Sequence, residues 1–117
     1  MRYTMLLIFV LSMQISYGQI VVNGTDINKL ESGTHIQVHA WEFNSKVTVT
    51  VDYGQEREFD GRNISIAMVD DGSQKKVFKS PVNALNFFLT NGWELVDFAV
   101  TVSENQVDYT YIFKRQK

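Results

Sequence analysis

Residues 80–115 read SPVNALNFFLTNGWELVDFAVTVSENQVDYTYIFKR, and the boundaries within this stretch have physical causes. Ser80 is placed to accept a hydrogen bond from the free amides of a first helical turn. Pro81 suits the first helical position because its missing N–H would be unpaired there anyway. On a helical wheel Val82, Ala84, Leu85, Phe88 and Leu89 share one broad side, with Asn83, Asn86 and Thr90 opposite. Gly92 can take the left-handed conformation that ends a helix, and Trp93 can then fold back on Phe87 or Phe88. The spacing predicts a helix from about Pro81 to Asn91, with Ser80, Pro81, Gly92 and Trp93 in structural roles. After Gly92 the period becomes two. Trp93, Leu95 and Ala99 point one way and Val96, Phe98, Val100 and Val102 the other, which predicts an interior strand covered on both faces. A polar turn at 103–106 leads into Val107 to Arg115, where Val107, Tyr109, Tyr111 and Phe113 alternate with Asp108, Thr110 and Lys114. The pair reads as a hairpin. Ile112 breaks the alternation, which predicts partial cover on the other face of this strand too.

The beginning of the chain reads differently. Arg2 gives a short positive start, Met5 to Met13 is almost unbroken apolar sequence, and Ser16-Tyr17-Gly18 offers the small residues a signal peptidase reads. Residues 1–18 are expected to be a secretory signal. The alternative, an uncleaved membrane anchor, meets the difficulty that the apolar run falls short of the roughly 20 residues a bilayer requires. Removing 18 of the 117 residues leaves 99, with 10 Lys plus Arg against 13 Asp plus Glu and a formal charge of −3. The basic residues are scattered, so no phosphate-tracking surface is present and nucleic acid is not an expected partner. There is no cysteine, which excludes disulfides, thiolate metal sites and a lipidated N-terminal cysteine together. The exported domain must rely on its apolar core, and a chain of this size buries roughly two-thirds of its unfolded surface. That suffices for a monomer, though a dimer would help.

Residues 19–33 start apolar and continue as NGTDINKLESG, predicting an extended leader with at most one helical turn near Ile27 to Leu30. The remainder, 34–117, reads as a single α+β domain. Thr34 to Phe43 alternates, with Ile36, Val38 and Ala40 on one face and His35, Gln37, His39 and Trp41 on the other. After a tight turn at Asn44-Ser45, Val47, Val49, Val51 and Tyr53 alternate with Lys46, Thr48, Thr50 and Asp52, completing a hairpin with one solvated face. Residues 54–63 are charged and glycine-bounded, a long loop. Ile64, Ile66 and Met68 alternate with Ser65 and Ala67 as a further strand, and the Asp71-Gly72 pair suits a hairpin turn. Lys75 to Phe78 would return as a short edge strand, where lysines discourage edge-to-edge association. The expected architecture is one short helix on a mostly antiparallel sheet of about five to six strands.

Few residues suggest chemistry. His35 and His39 lie four apart on one strand, about 13 Å, too far for two ligands on one ion. No metal site is predicted from them, and each reads as a solvated or hydrogen-bonded histidine unless a neighbouring strand brings a carboxylate. Glu56, Glu58 and Asp60, and separately Asp70 and Asp71, lack the spacing of a calcium loop. No cysteine nucleophile, Gly-x-Ser-x-Gly elbow or phosphate-binding loop occurs, and no cofactor is implied. Asp97, between Leu95 and Ala99, is expected to be a buried carboxylate held by structural hydrogen bonds, or else catalytic. Twelve aromatic residues follow the signal and most must be core. Trp41 and Phe87 are expected to be partly exposed, so the candidate binding set is His35, Gln37, His39, Trp41 and Phe87. Asn23-Gly24-Thr25 and Asn63-Ile64-Ser65 fit a glycosylation pattern that matters only in a eukaryotic secretory pathway.

The run Ala84-Leu85-Asn86 through Asn91-Gly92-Trp93-Glu94-Leu95-Val96, with a last strand finishing Phe113-Lys114-Arg115, resembles a group of small bacterial domains of unknown function. Those domains place a helix, a Gly-Trp-Glu-Leu/Phe-Val turn and a final strand closing on Lys-Arg. The resemblance covers about the last third of the chain. It extends to exported members of that group, which carry a signal peptide and added N-terminal strands similar to His35–Tyr53. It implies the fold and supplies no catalytic residue. The functional expectation is therefore an exported, non-enzymatic protein-interaction or ligand-binding module, periplasmic or secreted, without stable membrane insertion after cleavage. It would act through the sheet face that carries His35, Gln37, His39 and Trp41, or by self-association through an exposed edge, with a second copy or another exported protein as its partner. The alternative is a small hydrolase or ligand-binding enzyme using Asp97 with a histidine. Intact-mass measurement of the protein recovered from cell fractions should give the chain beginning at Gln19 outside the cytoplasm; a full-length cytoplasmic species would refute export.

Overall fold

The computed structural model describes residues 18–31, 34–55 and 64–116. The expected signal up to Tyr17, most of the charged loop and the second glycosylation pattern at Asn63 lie outside the described residues. In chain order the elements are β1 (Val21–Val22), β2 (Thr25–Asp26), a 3-10 turn (Ile27–Lys29), β3 (His35–Phe43), β4 (Lys46–Asp52), a second 3-10 turn (Ile64–Ala67), β5 (Asp70–Asp71), β6 (Gln74–Lys75), α1 (Pro81–Thr90), β7 (Trp93–Ser103) and β8 (Gln106–Arg115). The fold is α+β. A four-stranded antiparallel sheet in the order β4-β3-β8-β7 carries α1 on one face, and the ribbons β1-β2 and β5-β6 are separate two-stranded pairs.

The helix begins and ends for the reasons its sequence supplies. The Ser80 hydroxyl accepts from the Asn83 amide at 3.0 Å, Pro81 occupies the first turn, and Gly92 takes a φ of 99° beyond the cap at Asn91. Ala84 and Phe88 are buried, and Phe88 stacks on Phe113 of β8 with ring centres 5.2 Å apart. The Tyr111 hydroxyl donates to the Pro81 carbonyl at 3.2 Å, tying the sheet to the first helical turn. Burial, and then the neighbouring Tyr109, push the Tyr111 hydroxyl above its ordinary pKa. Val82, expected on the core side, is instead exposed. On the sheet, Ile36, Val38, Ala40, Val47, Val49 and Val51 form the buried face, as their alternation predicts. The β3-β4 turn places Asn44 and Ser45 at φ 53° and 63°, the two left-handed residues of a tight hairpin whose twist matches its strands.

Several expectations fail, each for a definite reason. Trp93–Val102 is not an interior strand, because β7 lies at the edge of the sheet. Its pairing with β8 shifts register between Leu95 and Asp97, so Val96 is a bulge. One extra residue flips every later side chain to the opposite face. Leu95 therefore stands opposite Phe113, and Phe98, Val100 and Val102 stand opposite Tyr111, Tyr109 and Val107, all on the helix side of the sheet. The pattern that reads as two apolar faces is one apolar face interrupted once. Asp97 consequently falls on the open side, exposed, its carboxylate accepting from the Phe98 amide at 2.8 Å.

Residues Ile64–Ala67 form a 3-10 turn rather than a strand. Their short alternation is ambiguous, and the extended pairing starts only afterwards, with Met68 bridging Thr50 and Val69 bridging Val22. The returning segment pairs at Gln74–Lys75, and Phe78 contributes a single bridge to Val47.

The leader does not simply extend from the domain. Ile20, Val22 and Ile27 are fully buried, and the 3-10 turn over Ile27–Lys29 is capped by the Asp26 carboxylate, which accepts from the Asn28 amide at 3.0 Å. Asn28 joins the leader to the rest of the chain. Its side-chain oxygen accepts from the Trp93 indole N–H at 2.6 Å, and its amide nitrogen donates to the Asn91 carbonyl at 3.0 Å and the Gly18 carbonyl at 2.6 Å. The Arg115 guanidinium donates to the Asn28 backbone carbonyl. A second tie runs through Asp70, whose carboxylate accepts from the Gly24 amide at 2.8 Å and pairs with Lys75. The Lys75 hydrogen bond is the largest influence holding that carboxyl below its ordinary pKa, with the Gly24 amide helping against the effect of burial.

Because Gly92 needs its positive φ, Gly92→Ala should cost about 1 kcal/mol. Trp93→Ala, which empties the largest fully buried side chain, should cost about 3–5 kcal/mol. Thermal melts of both variants check this; parent-like melts together with the loss of a measured binding activity would make the motif functional instead.

Candidate functional site: the open face of the sheet

The side of the sheet away from α1 is built by the alternating residues of β3. His35, Gln37, His39, Trp41 and Phe43 project from it because their neighbours Ile36, Val38 and Ala40 are committed to the core. Register sets their companions. Gln37 lies between Asp52 of β4 and Ile112 of β8, His39 between Thr50 and Thr110, and Trp41 between Thr48 and Asp108. His35 stands opposite Lys114 at the far end of the strand. The four β3 residues expected to share a surface do so.

Phe87 does not join them. It lies on the helix layer, across the sheet, where its ring packs edge-on against Phe78 at 5.4 Å and beneath the Lys76 ammonium at 5.1 Å. Its half-burial is explained by that cluster, and it belongs to a different surface.

At the centre of the open face the His39 and Trp41 rings meet at 5.0 Å, tilted by 38°. His39 Nε2 lies 3.7 Å from Asp108 Oδ1, beyond hydrogen-bond distance, and that carboxylate oxygen is buried with no hydrogen-bond partner. The rest of the Asp108 side chain is 28% exposed beside the His39 ring. Beside it is a concavity of about 280 Å³ lined by Gln37, His39, Thr50, Val51, Asp52, Ala67 and Thr110. The lining mixes amide, imidazole, hydroxyl and carboxylate groups with the aliphatic Val51 and Ala67. Phe43, 69% exposed, continues the row past Trp41 toward the hairpin turn.

Asp97, expected to supply a carboxylate to a histidine, sits on β7 opposite Ile112, with the whole of β8 between it and β3. Two strand spacings amount to about 10 Å. The carboxylate that faces a histidine is Asp108. Among the described residues, no group of three or more His, Asp or Glu is arranged to hold a metal ion. Nor is any described helix long and apolar enough to cross a membrane. Asp108, Thr110, Thr50 and Asp52 are the polar members of the site that the chain's pattern alone does not select. Their alternation puts them on a polar face, but only the placement of β8 beside β3 brings Asp108 to His39. In comparisons with known proteins, no family model, curated protein or solved structure matches the chain.

Proposed function

We propose that the chain is an exported, non-enzymatic binding module that meets a protein partner through the open face of its sheet. The observation that carries this reading is the row His39, Trp41, Phe43 on a face no element of the described chain covers, with the partly exposed Asp108 side chain beside it. Aromatic side chains offer large contact area at low entropic cost and are enriched at the centres of interfaces. The concavity next to them, part polar and part aliphatic, would take a side chain of the partner. The resemblance of the helix, Gly92-Trp93 turn and closing strand to small exported bacterial domains agrees with secretion to the periplasm or beyond. A hydrolase built on Asp97 has less in its favour, since that carboxylate is turned to the Phe98 amide on the edge strand.

A photo-crosslinking residue placed at Phe43 in the exported chain, in its own cells, should give a discrete adduct identifiable by mass. The same residue at Lys79, exposed on the other side, should not, and Trp41→Ala should remove the Phe43 adduct. Adducts that are equal at the two positions would contradict the reading. So would turnover of a chromogenic ester or glycoside that is lost in His39→Ala with unchanged melting temperature.

A further inference from the structure

The two edges of the sheet are treated differently. Along β4, the Val47 amide and carbonyl exchange hydrogen bonds with Phe78 at 2.9 and 3.0 Å, and Thr50 is bridged by Met68. Along β7, eleven residues long, no other strand among the described residues pairs with the outer rim. Proteins normally blunt such a rim with lysine, proline, an inward charge or a bulge. The bulge at Val96 protects only the beginning of β7. From Phe98 to Val102 the sequence is Phe-Ala-Val-Thr-Val, with no charge and no proline. Phe98, Val100 and Val102 are 60%, 47% and 73% exposed on the helix side, and Val107, opposite Val102, extends the same apolar strip. Contiguous exposed apolar side chains along an unprotected strand edge are the usual mark of a pairing or interaction surface.

We infer that β7 pairs antiparallel with β7 of a second copy of this chain, about a two-fold axis at Val100, joining two four-stranded sheets into one of eight. The hydrogen-bond phase fits. The Phe98 amide donates to the Asp97 carboxylate and not to β8, which places it on the outer rim. Pairing exchanges that local bond for the carbonyl of the second copy's Val102, and the period of two puts Val100 and Val102 on the outer rim as well. A two-fold at Val100 sets Phe98 against the second copy's Val102 and Val100 against itself, aromatic and β-branched pairs of the kind that stabilise sheets. On the other face Ala99 meets Thr101, and Asp97 meets Ser103. No like charges oppose each other, although the chain as a whole is acidic. A segment complementary to itself selects a second copy as its occupant, and an isologous two-fold closes the assembly without leading to fibres. This surface is distinct from the open-face residues of the proposed function, and either can fail without the other.

The test is the mass of the mature chain in solution by sedimentation equilibrium. A dimer is expected, and Val100→Pro should abolish it while near-ultraviolet circular dichroism and melting stay native, because proline at an outward-facing edge position costs the fold no ladder hydrogen bond. Val100→Lys should act in the same way through charge, whereas Phe43→Lys should leave the dimer intact. In this cysteine-free chain, Val100→Cys should oxidise to a disulfide-linked dimer and Phe43→Cys should not. A parent chain that stays monomeric up to about 1 mM, where even a millimolar Kd would register, overturns the proposal. So does a dimer that survives both Val100→Pro and Val100→Lys.

Discussion

The hydrogen bond from the Trp93 indole to Asn28 is the constraint on which the rest of this small domain depends. An indole can be buried completely only if its N–H finds an acceptor, and the acceptor comes from a segment 65 residues earlier in the chain. Asn28 also holds the carbonyl of Asn91 at the helix end, and its own carbonyl is held by Arg115 at the end of the last strand. One side chain therefore joins the leader, the helix stop and the closing strand. Gly92 turns the chain so that Trp93 enters the core, and Ile20, Val22 and Ile27 close over the same region. A cysteine-free domain has no covalent means of securing its first residues, and it uses this polar knot inside an apolar collar instead.

The bulge at Val96 is the second decision in the fold, and it divides the β7-β8 hairpin by function. Before it, Trp93 and Leu95 lie beneath α1. After it, the same face continues as Phe98, Val100 and Val102, beyond the reach of the helix. Without the extra residue those three side chains would have pointed to the polar face and Asp97 to the apolar one. Among the described residues the sheet thus presents three surfaces: a covered core, an open face of hydrogen-bonding and aromatic groups, and an apolar strip along an edge that no described strand pairs with.

What the sequence shows and what it hides follow the range of the interactions. The helix is legible at both ends because its signals, Ser80-Pro81 and Asn91-Gly92, act within one turn. The β3-β4 hairpin is legible because its alternation is unbroken and its turn is two residues. The bulge is not, since a single inserted residue in an apolar strand looks the same as two apolar faces. Neither is the docking of the leader, where Asn28 gives no local sign of its partner. Four of the five candidate binding residues come from one strand and so stay together. Phe87 comes from another element, and a helical wheel cannot say that the helix lies on the far side of the sheet. Asp108 escapes notice because strand order, not pattern, makes it the neighbour of His39.

The most direct test of the central claim is hydrogen exchange at the indole N–H groups of the only two tryptophans, followed by nuclear magnetic resonance on the native chain. Locked against Asn28 in the core, the Trp93 indole should exchange only when the whole domain unfolds, with the same free energy as the slowest amides of β3 and β8. The half-buried Trp41 indole should exchange far faster. Rapid exchange at both indoles, with the core amides still protected, would show that the leader opens independently of the domain and that the Trp93–Asn28 bond does not hold the fold together.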